Sequence, residues 1–149
     1  MDRSFVEENA RERERMRTLA AHLTDKELRS RVGNDWTISV AFAHLAFWDN
    51  RSVILMQKWK KSGVVEPSPI DVEVTNEALL PLWISLEPRK AVNLAISAAE
   101  EIDRELEEAP LDIIAQIEAL GDKFRLYRSI HRKMHLDQIE QVLNRKEQN

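Results

Sequence analysis

The feature that most constrains the fold is a long run of apolar residues with helical spacing in the first half of the chain. It begins at Ile38, continues to about Lys61 and places apolar side chains three or four positions apart, which is the period of one helix face. The residues of this stripe are Ile38, Ala41, Phe42, Leu45, Trp48, Leu55, Met56 and Trp59. Thr37 is a suitable N-cap and Gly63 a suitable stop. A stripe this wide predicts a helix in the core.

A first helix is predicted before this one. It is expected to begin at Ser4, because Ser4 and Glu7 have the spacing of a capping box, and to end near His22. Its apolar stripe is sparse, and its many arginines and glutamates are expected to face water. The segment from Thr24 to Glu27 repeats the capping-box pattern and predicts one short helical piece.

Two more long helices are predicted in the second half. Pro88 suits the first turn of a helix over residues 88–108, and Pro110 stops it. The last helix is expected over residues 122–146. Its predicted apolar stripe is Phe124, Tyr127, Ile130, Met134, Ile139, Val142 and Leu143.

The connecting segments contain turn and cap signals. Gly33-Asn34-Asp35 predicts a turn, and Asp71 can cap a shorter helix, which Pro81 is expected to kink or break. Residues 111–120 are expected to form a short one-sided helix that ends at Gly121.

Together these patterns predict an all-α protein. Glycine and proline are scarce, with three and five residues among 149, and no strand pattern stands out. The second and third long helices are separated by roughly 25 residues, far more than a tight turn between helices needs. We therefore expect one domain, residues 1–149, that forms a four-helix bundle with a long crossover connection between helices 2 and 3.

Composition narrows the possible functions. The net charge of −4 argues against nucleic-acid binding. The sequence contains no run of residues that is both apolar enough and long enough to cross a membrane, and no signal-peptide pattern is found at its start. A cytoplasmic location is therefore expected. There is no cysteine, so the chain has neither disulfides nor a thiolate nucleophile of its own.

Three of the four histidines have a spacing that suggests a metal site. His131 and His135 are four residues apart and would project from one face of the last helix. His44 lies inside the second long helix. If these two helices pack face to face, three imidazoles can meet, as they do in catalytic zinc sites that leave coordination positions open. His22, at the end of the first helix, is expected to cap that helix or face solvent.

Several short motifs resemble the DinB-like superfamily, a group that includes YfiT-like metalloenzymes, mycothiol-dependent maleylpyruvate isomerase and bacillithiol transferases. The motifs are Trp36-Thr37, His44-Leu45-Ala46-x-Trp48-Asp49, His131-x-x-x-His135 and, more weakly, Asn76-x-x-Leu-Leu-Pro81-Leu-Trp83. The resemblance implies a four-helix bundle with a Ni²⁺ or Zn²⁺ site whose ligands are His44, His131 and His135. Mycothiol-using members often have glutamate at the position of His131, so this chain fits an all-imidazole site better than mycothiol use.

Two kinds of chemistry follow from such a site. Three neutral imidazoles leave the ion its full double charge, which favours activation of water for attack on an ester, an amide or a similar substrate. Alternatively, the ion activates a low-molecular-weight thiol, which must arrive as a cosubstrate. The competing interpretation is a non-catalytic helical protein that binds a ligand or partner and whose histidines are structural or vestigial. A homodimer is also expected, because helical bundles with wide apolar stripes often dimerise.

Several neighbours of the histidines are candidates for supporting roles. Asp49, Asn50 and Asp137 are close enough in sequence to orient imidazole N–H groups. Trp48 is a candidate for lining a substrate pocket. Arg128, with Arg132 and Lys133, could attract an anionic substrate, or these three residues could simply form the polar side of the last helix.

Overall fold

The computed structural model describes residues 2–33 and 35–148 and is all-α apart from one very short hairpin. In this part of the chain the helices are α1 (Ser4–His22), α2 (Asp25–Leu28), α3 (Ile38–Ser62), α4 (Val72–Ser85), α5 (Pro88–Glu108), α6 (Leu111–Ala119) and α7 (Ser129–Gln148). The hairpin consists of β1 (Arg31–Gly33) and β2 (Trp36–Thr37), and one 3-10 turn covers Gly121–Lys123. No helix in the described residues is both long and apolar enough to span a bilayer.

Most helix boundaries follow from the predicted caps. The Thr37 hydroxyl accepts a hydrogen bond from the Val40 amide at 3.1 Å, and α3 ends where Gly63 adopts a left-handed φ of 79°. The Asp71 carboxylate caps α4 in the same way. The capping box at Thr24 is confirmed, because the side chains of Thr24 and Glu27 each accept the other residue's amide.

The predicted capping box at the start of α1 is wrong. Ser4 is the first helical residue and not the cap, and the residue before it makes no capping hydrogen bond through its side chain. The Ser4 amide donates instead to Asp2 Oδ1 at 2.9 Å, and the Ser4 hydroxyl lies 2.5 Å from the Tyr127 hydroxyl. The Ser4 side chain therefore contacts Tyr127, which is distant in the sequence, and does not cap α1 as the local pattern predicted.

The last helix begins later than predicted, at Ser129 and not near residue 122. Phe124 has extended backbone and packs its ring 5.0 Å from the ring of Trp59. The side chain of Asn9 on α1 then donates to the Leu126 carbonyl at 2.9 Å and accepts the Ser129 amide at 2.8 Å. These tertiary contacts hold residues 124–128 out of a helix that their own periodicity would allow.

Two smaller expectations also differ from the structure. Helix α4 is not broken at Pro81, since a proline removes only one helical hydrogen bond and the turns on both sides remain; a kink there stays a prediction. The hairpin was not expected, because its paired residues, Arg31 with Thr37 and Gly33 with Trp36, are too few for an alternating pattern. The predicted turn falls between the two strands, with Asn34 itself outside the described residues.

The directions of the long helices follow from their side-chain contacts. Arg17 pairs with Glu100, and Arg3 reaches the carbonyl of Glu107, so α1 and α5 are antiparallel. Asn9 and Arg15 of α1 contact successive turns of α7, so those two helices are parallel.

The His44 ring contacts the rings of His131 and His135 on α7. Asp49, farther along α3, contacts Arg132 and the earlier residue Arg128, just before α7, so these two helices are antiparallel. Helices α3 and α5 are therefore parallel, and residues 63–87, which include α4, carry the chain back between them. The wider description as a four-helix bundle stays a prediction.

Candidate metal centre

The three predicted histidine ligands come together between α3 and α7. His44 lies on the second turn of α3, behind the Thr37 cap, and His131 and His135 lie one turn apart at the start of α7. His44 and His135 are buried, with 5% and 7% of their surface exposed, and His131 is half-buried. These helices bring together residues that are 87 positions apart in the sequence.

The imidazole Nε2 atoms point at one another. His131 Nε2 lies 2.8 Å from His44 Nε2 and 3.2 Å from His135 Nε2. The three ring centroids are 4.7 to 4.8 Å apart, and each ring is inclined by 71° to 75° to the other two. The rings therefore form a nearly symmetrical three-bladed arrangement with a nitrogen of each blade at its centre.

This donor set fits a divalent transition metal ion. Tetrahedral Zn²⁺ with bonds of about 2.0–2.1 Å to nitrogen separates its ligand atoms by about 3.3 Å, close to the distances found here. Two nitrogen lone pairs at 2.8 Å repel each other unless a proton or a cation lies between them. His131 Nε2 contacts two other nitrogens at once, and one cation can serve all three whereas one proton cannot bond linearly to two acceptors.

The local environment keeps the imidazoles neutral. Burial, reinforced by the neighbouring His131 and His135 rings, lowers the pKa of His44 to about 2. Burial, together with His135 and nearby arginines, lowers the pKa of His131 to about 3. Burial also lowers the pKa of His135. Neutral imidazole is the form that binds metal ions, so the ring nitrogens are available as ligands at neutral pH.

None of the predicted carboxylates orients the two buried rings. The Nδ1 atoms of His44 and His135 are buried and have no hydrogen-bond partner among the described residues. Asp49 instead accepts hydrogen bonds from Arg128 Nε at 3.0 Å and Arg132 Nη2 at 3.2 Å. Asp137 pairs with Arg15 and Lys133 and does not line the cavity beside the histidines, and Asn50 is exposed.

Tryptophan rings hold the imidazoles from the side. The Trp36 ring lies 4.7 Å from the His44 ring and is nearly parallel to the His135 ring at 6.0 Å, and Trp83 meets His44 edge-on at 5.4 Å. Trp36 and Trp83 belong to the motifs that resemble the DinB-like superfamily, but the sequence predicted no role for them at the site. Those motifs were the signal that could have assigned the two residues to the site.

A cavity of about 580 Å³ opens beside the three histidines. Among the described residues, its lining combines the histidines and apolar side chains with two arginines and one asparagine and contains no carboxylate or hydroxyl group. The lining residues other than the histidines are Trp36, Trp48, Val72, Asn76, Arg125, Arg128, Ile130 and Met134. Trp48 and Arg128 thus occupy the cavity wall as predicted candidates for the pocket. Trp48 Nε1 donates to Asn76 Oδ1 at 2.9 Å, which holds the indole ring in place.

The face that α7 buries differs from the predicted apolar stripe. Ile130 and Met134 are about half exposed, at 51% and 50%, because they flank the open cavity. The buried face contains Arg132, which is only 1% exposed, together with Leu136 and Ile139. The sequence predicts that Arg132 either attracts an anionic substrate or belongs to the polar side of the last helix. Arg132 is buried because its guanidinium group bonds to two carboxylates from α3 and α5.

His22 behaves as expected for a residue outside the site. It is exposed, and its Nδ1 atom lies 2.8 Å from the Thr18 carbonyl in the last turn of α1. This contact confirms a surface role at the end of its helix.

Comparison with known proteins adds no assignment. No protein-family model, no curated protein and no solved structure matches the chain. The resemblance to the DinB-like superfamily therefore stays a prediction, and the chemistry of the site rests on its geometry.

Proposed function

We propose that the protein is a divalent-metal-dependent enzyme of the DinB-like type, with Ni²⁺ or Zn²⁺ held by His44, His131 and His135. The single observation that supports this proposal most strongly is the convergence of three neutral Nε2 atoms on one point beside an open cavity. A bound ion of this kind supplies Lewis-acid activation of water or of a thiol.

The protein's own residues would bind the ion and position the substrate. Three imidazoles on one side of an ion leave its other side accessible from the cavity, where a reacting group can reach it. The apolar wall with Trp48 and Val72 suits a substrate with an apolar body. The chain has no cysteine, so any thiol must bind in the same cavity as a cosubstrate.

Hydrolysis and thiol transfer can be separated experimentally. An ester such as p-nitrophenyl acetate tests the first reaction, and glutathione with chlorodinitrobenzene tests the second. Activity belonging to this site is expected to disappear on chelation and on His131→Ala, and to persist in His22→Ala, which changes a histidine outside the site. Turnover that survives both chelation and His131→Ala would not arise at the proposed metal site.

Metal analysis tests the proposal before any substrate is known. Protein stripped with a chelator and reloaded is expected to bind about one divalent ion per chain. Each of His44→Ala, His131→Ala and His135→Ala is expected to weaken binding by about 100-fold or more, since even loss of an outer-shell partner weakens it by about 10- to 100-fold. A protein that takes up neither Ni²⁺ nor Zn²⁺ would refute the proposal.

One observation favours a second candidate, a metal-containing protein that binds a small molecule without transforming it. Within the described residues, the cavity wall offers no carboxylate, hydroxyl or thiol that could accept a proton or attack a substrate. This candidate predicts stoichiometric metal binding with no turnover in either assay. Metal-dependent turnover that requires His131 would exclude it.

A further inference from the structure

A second cavity, of about 560 Å³, adjoins the one beside the histidines. The two share Trp48, Val72, Arg125 and Arg128 in their walls, so they form two lobes of one cleft. The second lobe is bounded on its far side by residues 67–70, which follow α3, and by the segment before α7. The cleft is therefore long enough for a molecule that occupies both lobes.

The second lobe is rich in positive charge, although the whole chain has a net charge of −4. Among the described residues, the wall of this lobe contains a single acidic residue, Asp122. The basic residues of the wall are Arg51, Lys123, Arg125 and Arg128. A cationic wall on an acidic protein attracts small anions into the cleft.

Arg128 is held at the junction of the two lobes. Its side chain is 11% exposed, and its Nε atom donates to Asp49 Oδ1 at 3.0 Å. In the described part of the chain, its two terminal nitrogens make no hydrogen bond, and the guanidinium group lies over the Phe124 ring at 6.0 Å. Because Asp49 fixes the inner edge of the guanidinium group, its outer nitrogens are presented to the cleft in a fixed orientation. A fixed guanidinium fork suits bidentate recognition of a carboxylate or phosphate group.

Arg128 shares its carboxylate partner with a second arginine. Asp49 is shared with Arg132, and Arg132 also pairs with Asp103, which in turn pairs with Arg13. Arg13 also pairs with Glu14, so in the described part of the chain Asp49 is the one carboxylate of this network that contacts Arg128, and Asp49 is divided between two guanidinium groups. Burial lowers the pKa of nearby Arg51, and the charge of Arg128 lowers it further. An anion in the cleft would give Arg128 a second partner of opposite charge.

We infer that the cleft binds a small molecule with an apolar body and an anionic group, and that Arg128 holds the anionic group with help from Arg125 and Arg51. The apolar body would lie against Trp48 and Val72. If this molecule is a substrate, the inference rests on the proposed metal function. The reacting end of the substrate would then lie in the lobe beside the histidines. Both carboxylates and phosphate monoesters have the required chemistry.

The test compares anionic probes with a neutral one. Phenylacetate and phenyl phosphate carry the anion, and phenylacetamide has nearly the same shape as phenylacetate without the charge. Calorimetric titration of chelator-treated protein near neutral pH is expected to show at least one anion binding about tenfold or more tightly than the amide. The difference is expected to shrink at high ionic strength. The anion that binds more tightly shows whether a carboxylate or a phosphate is the preferred group.

Matched variants locate the binding. Arg128→Gln and Arg125→Gln are each expected to weaken anion binding, by about tenfold for Arg128→Gln, and to leave binding of the amide unchanged. Arg104→Gln removes the same charge from an exposed position on α5 outside both lobes and is expected to have no effect. Arg125 is exposed, so its variant gives an answer even if Arg128→Gln does not fold.

Three results would overturn the inference. They are equal affinity for the amide and both anions, no binding of either anion, and an equal loss in Arg104→Gln and Arg128→Gln. The titration is made without metal, so its failure is distinct from failure of the metal site. If the protein binds one ion through its histidines but shows no preference for anions, the proposed function stands and this inference is wrong.

Discussion

Both terminal nitrogens of Arg132 donate to the carboxylate of Asp103, each at 2.9 Å, and this ion pair is almost completely buried. The pair joins α7 to α5, and Arg132 also reaches Asp49 on α3 at 3.2 Å. In the sequence Arg132 directly follows His131 and precedes His135 by three positions. Its contacts therefore fix the rotation of the helix that presents His131 and His135 to His44.

Removal of Arg132 is expected to destabilise the protein strongly. Arg132→Ala leaves Asp49 and Asp103 buried with fewer partners, and breaking a buried ion pair by removing one side typically lowers the free energy of unfolding by about 3–5 kcal/mol. Urea denaturation measures the loss. Lys133→Ala, at the next position of the helix but exposed, is expected to change stability by no more than about 0.5 kcal/mol. A loss below about 1 kcal/mol in Arg132→Ala would contradict the role assigned to the pair.

The buried histidines are expected to make stability depend on pH. In the folded, metal-free protein the pKa values of His44 and His131 are about 2 and about 3, against an ordinary value of 6.5. Below pH 6.5 the unfolded chain binds protons that the folded chain does not, so the free energy of unfolding falls as the pH falls from about 6.5 toward about 3. Each of these histidines contributes up to about 1 kcal/mol per pH unit in the middle of that range.

Urea denaturation in chelating buffer between about pH 6.5 and pH 5 measures this slope, in a range where most carboxylates stay ionised. The double variant His44→Ala/His131→Ala is expected to have a shallower slope than the original protein. His22→Ala is the control and is expected to keep the original slope. Equal slopes in the original protein and the double variant would show that these imidazoles titrate normally.

Asn9 is expected to be necessary for the late start of α7. Its side chain, only 1% exposed, bonds to the Leu126 carbonyl and the Ser129 amide. Asn9→Ala leaves both backbone groups without that partner, and each unsatisfied buried group costs about 1–3 kcal/mol. We expect a loss of about 3 kcal/mol in urea denaturation and faster amide exchange at Ser129. Asn50→Ala, at an exposed position, serves as the control, and an equally small change in both variants would refute this role.

Much of the helical framework could be predicted from the sequence because its signals are local. The caps at Thr24, Thr37 and Asp71, the stop at Gly63 and the start at Pro88 each depend on a few neighbouring residues. The start of α7 could not be predicted in this way. It depends on Asn9, which is 120 positions away from Ser129.

The three histidines could be predicted because helical spacing places His131 and His135 on one face and α3 supplies the third ring. Their surroundings were harder to predict. Arg132 resembles any surface arginine in a polar helix until the positions of Asp49 and Asp103 are known. Trp36 contacts the site from a hairpin too short to leave a sequence pattern. Side chains whose roles depend on distant partners are therefore the ones that the sequence leaves unassigned.

X-ray absorption spectroscopy of protein loaded with Zn²⁺ tests most directly whether His44, His131 and His135 share one ion. The expected spectrum contains three imidazole nitrogens at about 2.0–2.1 Å from zinc, and the number of imidazole ligands falls to two in His44→Ala. A spectrum with fewer than three imidazoles, or one unchanged by His44→Ala, would contradict a shared metal centre between α3 and α7.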